Sequence, residues 1–203
     1  GVAAQTEKPP TQFGPKKNMK WKVAVPAGAS SPVIAGDLLF LTGVEGRKLF
    51  TLAYRRADGK LLWREQAPTE KGIEKFATKE GSPAASTPVT DGQRLVVYFG
   101  SCGLICYDMA GKQLWKYPLP MAQTFHGFGT GSSPVIADGR LYAVNSRGRT
   151  SVVELGETPK LLARNELGDA IQATPAVATG CLYFRSQNAL YCVGAGRWWF
   201  GAG

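Results

Sequence analysis

Four cysteines and a single histidine are the side chains of this 203-residue sequence best suited to metal binding, redox work or nucleophilic attack. Cys102 and Cys106 flank Gly103 in "SCGLICYD". A structural zinc site takes four clustered ligands, and with no second Cys-x-x-Cys and no second histidine to supply them no metal site is expected. Cys181 and Cys192 form a different pair. A hairpin turning at Ser186-Gln187 sets them opposite each other in neighbouring strands. Two outcomes stay open for that pair, a cross-strand disulfide or two small buried thiols, and the strain of a bridge between directly opposed strand positions weighs towards the thiols.

His126 lies in "AQTFHGFGTGSSP" (122–134), a loop rich in glycine and aromatic residues. Together with Phe125 and Phe128 it can line a ligand pocket; the other reading is a structural loop whose glycines permit close packing of neighbouring elements. No acidic residue is adjacent, so a Ser-His-Asp grouping is not indicated and no catalytic residue is assigned.

Composition narrows the classes. The chain is 44% hydrophobic and 19% charged with no apolar run near 18 residues, the profile of a globular protein without a membrane-spanning helix. Its formal charge of +9 permits loose attraction to polyanions, but the basic residues are scattered (Arg55-Arg56, Lys71, Lys75, Arg147, Arg149). No run of five like charges marks a nucleic-acid tail, so no specific nucleic-acid partner is expected. The opening "GVAAQTEKPPTQFGPKK" (1–17) is polar and Pro-rich, without the apolar centre of a signal peptide, and is expected to be a flexible arm of a processed chain.

The elements that must position these residues repeat. Ser31-Pro32-Val33, Thr87-Pro88-Val89, Ser133-Pro134-Val135 and Thr174-Pro175-Ala176 open four similar units, with prolines 56, 46 and 41 residues apart. That spacing is of the propeller-blade class. After each proline come a short strand, a turn at Gly36-Asp37, Asp91-Gly92, Asp138-Gly139 or Thr179-Gly180, and two further alternating strands. "ADGKLLW" (57–63) and "MAGKQLW" (109–115) add a fourth strand ending in Trp63 or Trp115, and Leu161-Leu162 takes that place in the third unit. One spare strand, "NMKWKVAVP" (18–26) with Trp21, is expected to close the last sheet and remove its open edge. The fold class is therefore all-β: a β-propeller of four-stranded antiparallel blades, one domain over residues 18–195, with a tail at 196–203. Trp198, Trp199 and Phe200 in that tail are expected to pack on the last blade or on a partner.

The units "SSPVIAGDLLFLTG" with "RADGKLLW", and "STPVTDGQRLVVYFGSCGLICYDMAGKQLW", resemble pyrroloquinoline-quinone-like (PQQ-like) repeats, over roughly residues 18–195. These are the blades of quinoprotein dehydrogenases and of the outer-membrane assembly factor BamB. The resemblance implies rings of seven or eight blades, whereas four units are present. The chain thus closes a four-blade ring, supplies half of an eight-blade ring with a second copy, or is a truncated half-propeller. The dehydrogenases bind their quinone with a calcium ion, some over a vicinal Cys-Cys disulfide. This chain has neither that pair, nor a Cys-x-x-Cys-His haem motif, nor an acidic calcium loop, so PQQ and Ca²⁺ are not expected. The expectation is a non-catalytic scaffold for protein–protein interaction, periplasmic or otherwise exported, with a second copy among its partners. The alternatives are a degenerate PQQ-dependent dehydrogenase and a small-ligand or glycan binder at the channel mouth.

Overall fold

In the computed structural model, which describes residues 6–70, 72–77, 81–122 and 128–195, each Ser/Thr-Pro dipeptide leads directly into a short strand. Proline suits that position because it cannot donate to a ladder and fixes its own φ, so pairing begins one residue later. Blade 1 comprises β1 (Val33–Ala35), β2 (Leu38–Glu45), β3 (Lys48–Arg55) and β4 (Leu61–Gln66). Blade 2 comprises β5 (Val89–Thr90), β6 (Arg94–Phe99), β7 (Gly103–Asp108) and β8 (Gln113–Tyr117). Blade 3 comprises β9 (Val135–Ala137), β10 (Arg140–Val144), β11 (Arg149–Glu154) and β12 (Lys160–Glu166). Blade 4 has three strands, β13 (Ala176–Ala178), β14 (Cys181–Arg185) and β15 (Leu190–Gly194). Every sheet is an antiparallel meander, three of four strands and one of three, and no helix occurs among the described residues. The fold is a β-propeller of PQQ-like blades.

Tight turns set the pitch of each meander. At the β9–β10 turn both Asp138 (φ 48°) and Gly139 (φ 65°) are left-handed, the two-residue geometry whose twist matches that of the flanking strands. Register then aligns one column of residues across each blade: Val33–Phe40–Ala53–Trp63, Val89–Val96–Cys106–Trp115 and Val135–Tyr142–Val152–Ala163. A bulge follows the third residue of each column, after Ala53, Cys106 and Val152. The residue in the tryptophan's column of blade 3 is thus Ala163, while Leu161 packs against the core cluster beside Trp115, Leu141 and Val153.

The core lies between blades, because a strand pair buried on both faces reads as a continuous apolar run. Phe40, Leu49 and Ala53 of blade 1 meet Leu95, Val97, Phe99, Ile105 and Tyr107 of blade 2. Val96, Leu104, Cys106 and Trp115 meet blade 3 in a second cluster, and Val144 meets Phe184 of blade 4 through Ile171. The innermost strands lie side by side in the order β1, β5, β9, β13, with no comparable contact from β13 back to β1.

Two expectations are corrected. Residues 18–26 form no strand and none of them pairs with β15; the segment lies against blade 1, where Ala27 bridges Val44 and Pro26 packs over Gly43. Among the described residues no strand pairs with the outer edge of β15. Cys181 and Cys192 are also not opposed: Cys181 pairs with Gly194 and Cys192 with Tyr183. The β14–β15 turn spans Ser186 to Ala189, not Ser186-Gln187, because the Asp169 carboxylate accepts hydrogen bonds from Ser186 Oγ, the Asn188 backbone and the Asn188 amide.

Candidate interaction surface

Two devices join neighbouring blades. The first is a ladder built from the residue before each proline. The Ser31 N–H donates to Thr87 Oγ1 (3.0 Å), the Thr87 N–H to Ser133 Oγ (2.8 Å), and the Ser133 N–H to Thr174 Oγ1 (3.0 Å). A hydroxyl is required there because the acceptor must reach across from the next blade. Among the described residues the ladder runs from Ser31 to Thr174 in these three steps.

The second device is an indole seated on the outer turn of the next blade. Trp63 Nε1 donates to Met109 O (3.0 Å), and its ring lies where a Cβ on Gly111 (φ +92°) would sit, 2.7 Å away. Trp115 Nε1 donates to Gly156 O (3.3 Å) in blade 3. Trp21 repeats the arrangement on blade 1: Nε1 donates to Arg56 O (3.1 Å), and a Cβ on Gly59 (φ +71°) would lie 2.6 Å from the ring. Glycine is needed under the Trp21 and Trp63 rings because it supplies both the positive φ and the space.

Exposed large apolar side chains occur on all four blades, Ile34, Leu62, Leu114 and Leu162 among them. Pro88, Pro134 and Pro175 are buried, but Pro32, at the start of blade 1, is exposed. On the outer edge of blade 4, Leu190 is 74% exposed and Val193 42%. Val177 on β13, at the other edge of that sheet, is exposed too, as are Met19, Val23 and Val25 of the segment on blade 1.

The other candidate residues are placed as follows. Cys181 is half-buried and Cys192 exposed; both are free thiols, and burial, then the contact with Cys192, raises the pKa of Cys181. Burial pushes the Cys102 and Cys106 thiols up to about 12, which makes them poor nucleophiles. His126 and Phe125 lie outside the described residues; Phe128 is half exposed and its carbonyl accepts the Ser82 N–H. Among the described residues no group of three or more His, Cys, Asp or Glu could hold a metal ion. Glu74, which sequence reading did not single out, is 2% exposed, with Ser101 Oγ and Thr130 Oγ1 each 3.4 Å from its carboxylate. Burial raises its pKa to about 7.

Repeat, column and indole seat together define a blade type, and comparison with known proteins names it. Residues 15–196 match the family model described as outer membrane protein assembly factor BamB. The chain belongs to that family. Among curated proteins nothing matches. The BamB-family chain is similar in structure to the computationally designed Ika4 protein (TM-score 0.60, 9% identity, 88% of this chain and 98% of that one). It is similar also to the quinohemoprotein alcohol dehydrogenase ADHIIG from Pseudomonas putida (TM-score 0.55, 14% identity, 81% of this chain and 29% of that one). With BamB from Moraxella catarrhalis it shares 14% identity over 84% of this chain and 58% of that one, at a TM-score of 0.43. The chain thus spans little more than half of that BamB and under a third of that dehydrogenase.

Within this family frame the unread features have a common cause. The partners of the ladder hydroxyls lie 41 to 56 residues away, and Trp63 and Met109 are 46 apart, so neither contact has a local signal. The recurrence of Ser/Thr before each proline was visible in the sequence and would have found the ladder had the hydroxyl itself been asked for a role.

Proposed function

We propose that this BamB-family chain is an exported, non-catalytic β-propeller scaffold that binds protein, with a second copy of itself among its partners. The observation that carries this reading is the outer edge of β15, which pairs with no strand among the described residues and carries exposed Leu190 and Val193. A strand edge that presents free backbone groups beside apolar side chains is a template for pairing with another strand, and folded proteins cover such edges. The family's description as an outer-membrane assembly factor supports the exported reading. In this reading the blades supply shape, and neither PQQ nor Ca²⁺ takes part.

The test is a dye-reduction assay on the purified chain with PQQ, Ca²⁺ and a panel of primary and secondary alcohols. No turnover above the protein-free blank is expected. Saturable, Ca²⁺-dependent turnover would establish the dehydrogenase alternative instead.

A further inference from the structure

The connection from blade 1 to blade 2 is anchored in the core between them by Ile73 and Phe76, and Glu74, 2% exposed, stands between these two in sequence. Two other loops close over its carboxyl group. The Glu74 N–H donates to Ser101 Oγ (3.1 Å) in the β6–β7 turn, and that hydroxyl donates to Glu74 Oε2 (3.4 Å). Thr130 Oγ1, from the connection between blades 2 and 3, donates to Oε1 (3.4 Å). Gly100 leaves the room for this meeting, since a Cβ there would overlap the carboxyl group, Thr130 Oγ1 and the Ala122 side chain. The same loops also meet by backbone: the Ala122 N–H donates to Gly100 O (2.7 Å) and the Ser82 N–H to Phe128 O (3.3 Å). One buried acid thus stands where both inter-blade connections join the β6–β7 turn.

The charge state of Glu74 decides how well this junction holds. A carboxylate leaves water only at a cost that a cation or good hydrogen bonds must offset. The groups that favour its charge are neutral, two hydroxyls and the Thr130 N–H, and at 3.4 Å the hydroxyls are long donors. Burial prevails, and the proton is held up to about 7. The titratable groups nearest it do not relieve the charge. Tyr98 on β6 and Cys102 in the β6–β7 turn are each pushed up to about 12 and stay neutral, while Glu70 and Lys116 act on Cys102 with opposite sign. Lys75 is its chain neighbour, and Lys71, Lys79, Glu80 and His126 lie outside the described residues.

We propose that Glu74 is a pH-operated clasp: protonated, it holds the two inter-blade connections on the β6–β7 turn, and ionised, it lets that junction open while the sheets stay folded. The opening is local because of what each part is made of. The junction consists of loop residues joined by a few side-chain and backbone hydrogen bonds, whereas β6 and β7 pair without a break from Arg94–Asp108 to Phe99–Gly103. In the open form water reaches the carboxylate and its pKa returns to the ordinary 4.5. The closed form is then fully favoured below pH 4.5. Between 4.5 and about 7 each unit of pH shifts the ratio about tenfold towards the open form, and above 7 the shift is complete. The clasp concerns the chain's own loops and is independent of the scaffold reading.

Amide hydrogen exchange of the full chain, resolved by NMR from pH 5 to pH 8 and corrected for the intrinsic rate at each pH, tests the clasp. The reporters are the Glu74, Ser82 and Ala122 amides, and the references are the amides of β6 and β7. The reporters are expected to be less protected than the references at every pH, and their protection to fall roughly fifty-fold from pH 5 to pH 8. In Glu74→Gln that fall disappears. Thr130→Val removes a donor that favours the charged form, so the upper end of its profile moves above 7. Equal protection of reporters and references would mean that the junction opens only with the whole fold, and would overturn the proposal. So would a flat wild-type profile, an undiminished fall in Glu74→Gln, or a Thr130→Val profile that does not move. None of these results touches the scaffold reading, which fails by quinone-dependent turnover.

Discussion

A carboxyl group stripped of water on folding holds its proton to higher pH, and Glu74, 2% exposed, does so up to about 7 from an ordinary 4.5. The Ser101 and Thr130 hydroxyls favour the charged form but do not outweigh burial; burial first, and then the Glu74 charge, raises the pKa values of Tyr98 and Cys102. The sign follows from proton counts. Below pH 4.5 both folded and unfolded chains carry the proton and no penalty arises. Between 4.5 and about 7 the folded chain binds more protons, so stability falls as pH rises, and above 7 the penalty is complete. Glu74→Gln keeps the hydrogen-bonding shape without the charge. Its expected effect is negligible at pH 4 and a gain of roughly 2–3 kcal/mol at pH 8, read from urea unfolding across that range. A gain equal at both pH values would contradict the account. Nothing in the sequence around Glu74 announces its burial, because the groups that enclose it, Ser101 and Thr130, come from two other loops.

At the scale of elements, blades are coupled by indole seats, and where a glycine lies under the ring, as Gly111 does under Trp63, that glycine is the sensitive point. Gly111→Ala brings a Cβ to within 2.7 Å of the Trp63 ring at a φ of +92°, so strain and displacement of the indole add. A loss of about 2–3 kcal/mol is expected, with the Trp63 fluorescence signal shifted towards that of a solvated indole. Gly36→Ala, at φ +58° with nothing within 4 Å, bears the backbone cost alone, about 1 kcal/mol. Equal losses at the two sites would remove the seat from the account. Most of the blade was legible beforehand: Ser/Thr-Pro marks the innermost strand, left-handed Asp138-Gly139 the first turn and Gly-Lys-x-Leu-Trp the outermost strand. The errors came where local pattern was overruled from elsewhere in the chain. Asp169 widens the β14–β15 turn by two residues, which moves Cys181 from Cys192 to Gly194, and Trp21 is drawn to the turn of blade 1 while no described strand pairs with the outer edge of β15.

For the whole molecule the question is how four blades satisfy the faces that each blade exposes. Blades 1, 2 and 3 each cover the inner face of the next, through buried Phe40, Val96 and Val144 among others, and the arc then ends with Leu190 exposed at one side and Pro32 at the other. Exposed apolar area at the outer edge of a sheet favours association. The central proposal is that a second copy is among the partners of this propeller. Light scattering on the full chain during size-exclusion chromatography measures this most directly: the account predicts a mass about twice 21.7 kDa, and a single species at 21.7 kDa throughout would contradict it.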